Sequence, residues 1–166
     1  MASSFTNAYD LAGDRAAALR AYEESAASSR VIGDKQSEAS SVNNEGIIFG
    51  KTGDGEQAIA KFERALQLTR AANRDLEGST LNNLGIAYKD LGRFDKSLEA
   101  YEQSAALARA RNDRNLESVL LNNMGNVHRL QGNHEKALEL HTTALERCRV
   151  RSEGKRTKLE RSTRWV

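Results

Sequence analysis

LNNLGIAYKDLGRFDKSLEAYEQSAALARA, residues 81–110, is the stretch on which the fold turns. Leu81, Leu84, Tyr88 and Leu91 stand at i, i+3, i+7 and i+10, which lays one apolar stripe along a helix. Gly92 follows where a left-handed cap residue would end that helix. The residues beyond it start a second helix, so the stretch reads as helix–turn–helix.

The same constellation returns on both sides. Asn-Asn pairs fall at Asn43-Asn44, Asn82-Asn83 and Asn122-Asn123, spaced by 39 and then 40 residues. Each is followed by a glycine (Gly46, Gly85, Gly125) and, seven residues on, by another (Gly53, Gly92, Gly132). Phe49, Tyr88 and His128 stand between the two glycines. A small residue comes next (Ala58, Ser97, Ala137), then Phe62, Tyr101 or His141. Tyr9, Gly13, Ala18 and Tyr22 fit a fourth, imperfect copy that carries Thr6 in place of the first glycine. Recurrence at a fixed period is the mark of a repeat architecture.

Turn chemistry agrees with the period. Asp14, Asp54 and Asn133 directly follow the turn glycines and suit the start of a second helix. Gly33, Asn73 and Asn112 mark the ends of second helices, with Asp34, Asp75 and Asp113 starting the next hairpin. Ile59, Phe62 and Leu66 form the apolar stripe of one second helix. A glycine inside a helix costs about 1 kcal/mol relative to alanine. Gly46, Gly85 and Gly125 are therefore expected to face Ala58, Ser97 and Ala137, where two backbones approach closely.

The phase-locked set Leu84-Gly85, Tyr88, Gly92, Ser97 and Tyr101, with its equivalents, resembles the tetratricopeptide repeat (TPR) family over residues 2–150. The family's usual repeat is about 34 residues. Here it is 39–40, and Arg30, Arg70, Arg109 and Arg149 stand where a closing proline is common. The long repeat with its Asn-Asn pair looks like kinesin light chain and Pins-type adaptors, and like many bacterial TPR proteins. The resemblance implies an all-α fold, a right-handed superhelix (α-solenoid) of four hairpins at about 2–33, 36–73, 75–112 and 115–151. A TPR array over 1–152 would then be followed by a basic tail, 153–166. Glu38, Glu77 and Glu117 recur seven or eight residues after the arginines, which suggests ion pairs at the hairpin junctions.

On the first helix of the third copy, Asn82, Ile86 and Lys89 form a second stripe, turned away from the partner helix. The matching sets are Asn43, Ile47 and Gly50, and Asn122, Asn126 and Arg129. The resemblance puts these positions on the concave surface. A carboxamide both donates and accepts, so a ladder of Asn side chains suits the backbone of an extended peptide. Asn43, Asn82 and Asn122 are equally open to a second role, hydrogen bonding between hairpins. Lys51 and Asp90 stand beside the stripe. The basic set with which co-chaperone TPR domains hold a terminal carboxylate is missing, since Asn43, Ser79 and Val119 occupy its positions.

The expected function is thus a scaffold binding a peptide segment of a partner protein. Alternatives are self-assembly through uncovered repeat ends, a place within a longer array, or binding of an acidic partner by the tail. Residues 146–166 carry eight basic and three acidic side chains, against 17 and 20 in the rest. That segment could equally be a capping helix using Leu159 and Trp165, or a solvated arm. One aromatic gives little for base stacking, so nucleic acid is not an expected partner, nor is a membrane. No glycine-rich phosphate loop, metal-ligand spacing or nucleophile beside a base occurs, so neither an enzyme nor a cofactor is expected. His128, His134 and His141 all lie in the fourth copy; two replace aromatics and read as packing rather than a metal site. A lone cysteine, Cys148, and an N-terminus without signal-peptide order point to the cytoplasm.

Overall fold

Aspartates start four of the described helices, and left-handed residues follow five of them. In the computed structural model of the chain, residues 14–72 and 76–147 are described, apart from the side chains of 70–72. Seven helices occur among them and no strand. They are α1 (Arg15–Val31), α2 (Lys35–Thr52), α3 (Gly55–Ala72), α4 (Glu77–Asp90), α5 (Phe94–Ala110), α6 (Arg114–Leu130) and α7 (134–147). The helix expected to open the first copy, with Thr6, Tyr9 and Gly13, falls on residues outside those described. So do Asn73, Asp75, Cys148, Arg149, the Arg70 side chain and the tail 153–166.

Asp14 accepts from the Ala17 amide and Asp34 from the Ser37 amide, each at 3.0 Å. Asp54 accepts from Gln57 at 3.2 Å, and Asp113 from Asn115 and Leu116 at 3.1 Å. Each bond satisfies an amide that the first helical turn leaves without a partner. The hydrogen bonds from Ser37 hold the Asp34 carboxyl below the usual aspartate pKa. Helix ends share one device: the amide of the residue after the left-handed one bonds five residues back. Examples are Asp54 to the Phe49 carbonyl at 3.0 Å and Arg93 to Tyr88 at 2.8 Å. The left-handed position is glycine at 33, 53, 92 and 132, and Asn112 with φ 55°. Asparagine is the one other residue type that the sequence proposed for this task, and it takes the conformation.

The chain divides into two compact units, residues 1–100 and 101–166, with the boundary inside α5. In the first, α2 packs on α1 and α3, and α4 packs chiefly on α3 and to a lesser extent on α2. Small residues fill the seams: Ala26, Ala39, Val42, Ala65 and Leu68 form one cluster, with Leu76 against it. Tyr22, Ala18 and Ile48 form a second. Buried glutamates sit at the junctions, as the arginine spacing predicts. Glu38 receives Arg30 Nε at 2.9 Å and Arg64 Nη2 at 3.4 Å. In the second unit, Glu117 pairs with Arg147, and Arg109 reaches it at 4.0 Å.

The expectation for the mid-helix glycines needs correction. A Cβ at Gly46 would lie 2.7 Å from the Phe62 ring, and one at Gly125 would lie 2.8 Å from His141. These glycines seat the ring of the paired helix rather than face Ala58 or Ala137. The glycine that approaches Ala58 is Gly50, at 3.9 Å from a built Cβ. In the third copy Ser97 does reach Gly85, donating to its carbonyl at 2.7 Å.

Candidate functional site

The first helices α2 and α4 are successive copies of one sequence pattern, so matching positions come side by side. Ile47 and Ile86, one 39-residue period apart, line the same open depression of about 270 Å³. Gly50, Ala87 and Phe62 also line it. Lys51 and Asp90 hold opposite charges at the rim. Lys89 Nζ pairs with Asp90 Oδ1 at 2.7 Å, so the acidic charge at the rim has a basic neighbour on its own helix. Ile47, Asn82, Ile86 and Lys89 are all half-buried. Half-burial of two β-branched apolar side chains in an open depression leaves apolar surface for another chain to cover.

Asn43 is not on that open face. It is 5% exposed, and its Oδ1 accepts a 3.3 Å hydrogen bond from Asn83 Nδ2 of the next copy. Of the two roles left open by the sequence, Asn43 takes the one between hairpins. The physical reason is that α4 packs over it, and a carboxamide covered there needs a partner. Asn83, the second residue of its pair, is the donor and also borders the depression.

On the same helix Tyr88 turns inward. Its hydroxyl donates to Glu63 Oε1 at 3.0 Å, and Lys96 lies 5.6 Å from its ring centroid. Burial pushes the Tyr88 phenol above the ordinary tyrosine pKa, and the Glu63 hydrogen bond adds to the rise.

In the second unit, Asn122 is exposed and its Oδ1 lies 2.9 Å from His141 Nδ1. Both border a second depression, of about 480 Å³, with Ser118, Val119, Ala144 and Leu145. Asn126 is half-buried and Arg129 exposed on α6. The three sequence-selected residues of α6 thus belong to a different unit from those of α2 and α4. Phe62 and Ala87 were missed as lining residues because both read as core. The signal was available in Gly46, whose missing side chain lets the Phe62 ring come up to α2.

Among the described residues no group of three or more His, Cys, Asp or Glu is placed to hold a metal ion. His128 Nδ1 is buried there without a hydrogen-bond partner. No helix of the described residues is long and apolar enough to cross a membrane.

Comparison with known proteins bears on the fold. No curated protein sequence matches the chain. Among solved structures, the chain is similar to BtubC (BKLC) from P. vanneervenii, with a TM-score of 0.81 at 22% identity. The match covers 91% of this chain and 63% of that one, so the chain spans less than two thirds of the BtubC chain. At that identity the likeness speaks to the fold alone, the all-α solenoid of helical hairpins. The profile of the tetratricopeptide repeat family, whose repeats generally mediate protein–protein interaction, matches residues 36–110 and again 76–150. The two matches are offset by one period and in phase with the Asn-Asn pairs, and the chain belongs to the tetratricopeptide repeat family.

Proposed function

We propose that the chain is a non-catalytic interaction module that seats a segment of a partner protein on the α2–α4 face, with an apolar side chain anchored between Ile47 and Ile86. The observation that carries this reading is the depression itself: two half-buried isoleucines, a glycine in place of a third side chain, and charges of both signs at the rim. An open depression of about 270 Å³ has room for a large apolar side chain. Burying such a side chain contributes about 1.5–3 kcal/mol. A single anchor of that strength gives weak binding, so the affinity must grow from contacts along neighbouring helices. Asn82 and Lys89 on α4 are the proposed continuation, supplying polar contacts to the same partner. Asn43 is withdrawn from the contact set, because its carboxamide is already committed to Asn83.

The test uses a peptide selected on the wild-type chain from a random display library. Ile47→Glu with Ile86→Glu leaves helicity and the unfolding midpoint near wild type, because both side chains are half-exposed. Capture of the peptide falls at least about tenfold, the equivalent of 1.4 kcal/mol. Undiminished capture by the double variant would show that the partner segment sits elsewhere.

A further inference from the structure

Gly46 has a packing reason to be glycine, and Gly50, one turn later on the same helix, has none among the described residues. A Cβ at Gly46 would meet the Phe62 ring of α3 at 2.7 Å, whereas one at Gly50 would meet nothing nearer than the Ala58 Cβ, at 3.9 Å. No close approach therefore excludes a side chain at Gly50. Nor does the backbone require glycine there: the left-handed glycines are 33, 53, 92 and 132, and Gly50 lies within α2 ahead of its cap. Glycine at such a position weakens a helix relative to alanine, because it has more backbone freedom to lose. The equivalent positions carry Lys89 in the next copy and Arg129 in the one after. Helix stability is lost at Gly50 with no gain in packing. What the missing side chain does provide is room, since Gly50 is exposed and lines the depression between Ile47 and Ile86. A lysine there, as in the next copy, would lay its four-carbon stem across that opening.

We propose, on the premise that the α2–α4 face receives the partner, that Gly50 is the residue that sets the size of the partner's anchor. With glycine at this position, the depression of about 270 Å³ takes an aromatic ring laid on bare helix backbone. With a longer side chain it takes only a small aliphatic one. The same helix already shows the arrangement from within, where the Phe62 ring lies against Gly46. The surroundings suit a ring. Ile47 and Ile86 flank the space, and Phe62 lines it too, offering an aromatic neighbour. Lys51 follows Gly50 directly and lines the same depression. A lysine beside an aromatic ring recurs in this unit: Lys61 Nζ lies 5.9 Å from the Phe49 centroid and Lys96 Nζ 5.6 Å from that of Tyr88.

The test compares Gly50→Leu with the wild-type chain, using peptides selected on the wild type from a random display library. Leucine restores helix propensity and its Cβ has no close neighbour, so the variant keeps its helicity and an unfolding midpoint at or above wild type. The selected peptides share a Phe or Tyr at one position. Such a peptide loses at least about tenfold in affinity on Gly50→Leu, whereas its Val-anchored version, weaker on the wild type, changes by less than about threefold. Gly50→Ala, which fills less of the space, gives an intermediate loss for the ring-anchored peptide. Equal losses for both peptides overturn the assignment of Gly50, as does a wild-type selection with no shared ring. Where Ile47→Glu with Ile86→Glu abolishes capture but Gly50→Leu leaves the ring-anchored peptide unaffected, the face binds and Gly50 does not choose the anchor. Where both variants capture that peptide undiminished, the segment sits elsewhere and the seating on the α2–α4 face fails with it.

Discussion

Glu45 is the residue at which the second copy departs most from the others. Its equivalents are Leu84 and Met124, yet it is only 2% exposed and pairs with Lys61, whose own equivalents are Ala100 and Leu140. An ion pair has taken the place of an apolar contact, and Lys61 also lies 5.9 Å from the Phe49 ring centroid. Removing one partner of such a pair leaves a buried charge, whereas replacing both with packed apolar groups is often neutral or stabilising. Lys61→Ala is therefore expected to destabilise the chain by about 3 kcal/mol, at the low end for a buried pair because the lysine is about a third exposed. Glu45→Leu with Lys61→Ala, the pair found in the third copy, restores stability to near wild type or above it. Urea unfolding of the two variants checks this; equal loss in both would mean that the pair is not coupled. Glu45 shows a limit of reading residues singly. A glutamate in a polar-looking run is buried here because the repeat puts it where leucine and methionine go.

At the scale of the helix, two glycines one turn apart on α2 have opposite roles. Gly46 holds the Phe62 ring against its backbone, so an added methyl would meet the ring at 2.7 Å and force it aside. Overpacking of this kind costs about 1–3 kcal/mol. At Gly50 an added methyl has nothing nearer than the Ala58 Cβ at 3.9 Å, and helix propensity favours alanine by up to about 1 kcal/mol. Gly46→Ala is expected to lower the unfolding midpoint and Gly50→Ala to raise it; the same sign for both would contradict the packing described. Helix starts and stops were legible from the chain alone, because Asp34, Asp54, Asp113 and the left-handed residues act through their near neighbours. What Gly46 faces was not legible. Spacing tells which side of a helix a residue occupies, but not whether a methyl or a ring from the next helix fills the space. The burial of Asn43 was hidden for the same reason: its partner Asn83 is a full repeat away.

At the scale of the molecule, the repeat makes binding a property of neighbouring copies rather than of any one residue. Matching positions of α2 and α4 meet at the Ile47–Ile86 depression, and no single hairpin contains both walls. The period of 39–40, against a family norm of about 34, lengthens each hairpin without breaking this register. Ile47, Ile86 and Lys89 could be chosen from the sequence because they keep step with the period. The division into two units could not, since the sequence of α5 runs through the boundary without interruption. A partner segment seated on the α2–α4 face would perturb the amides of both helices. The most direct measurement is an amide chemical-shift map of the ¹⁵N-labelled full chain, titrated with the peptide selected on it. Perturbations centred on residues 47–51 and 83–90 are expected of that seating. Perturbations confined to α1 or to the outer side of α3, with those two stretches unmoved, would contradict it.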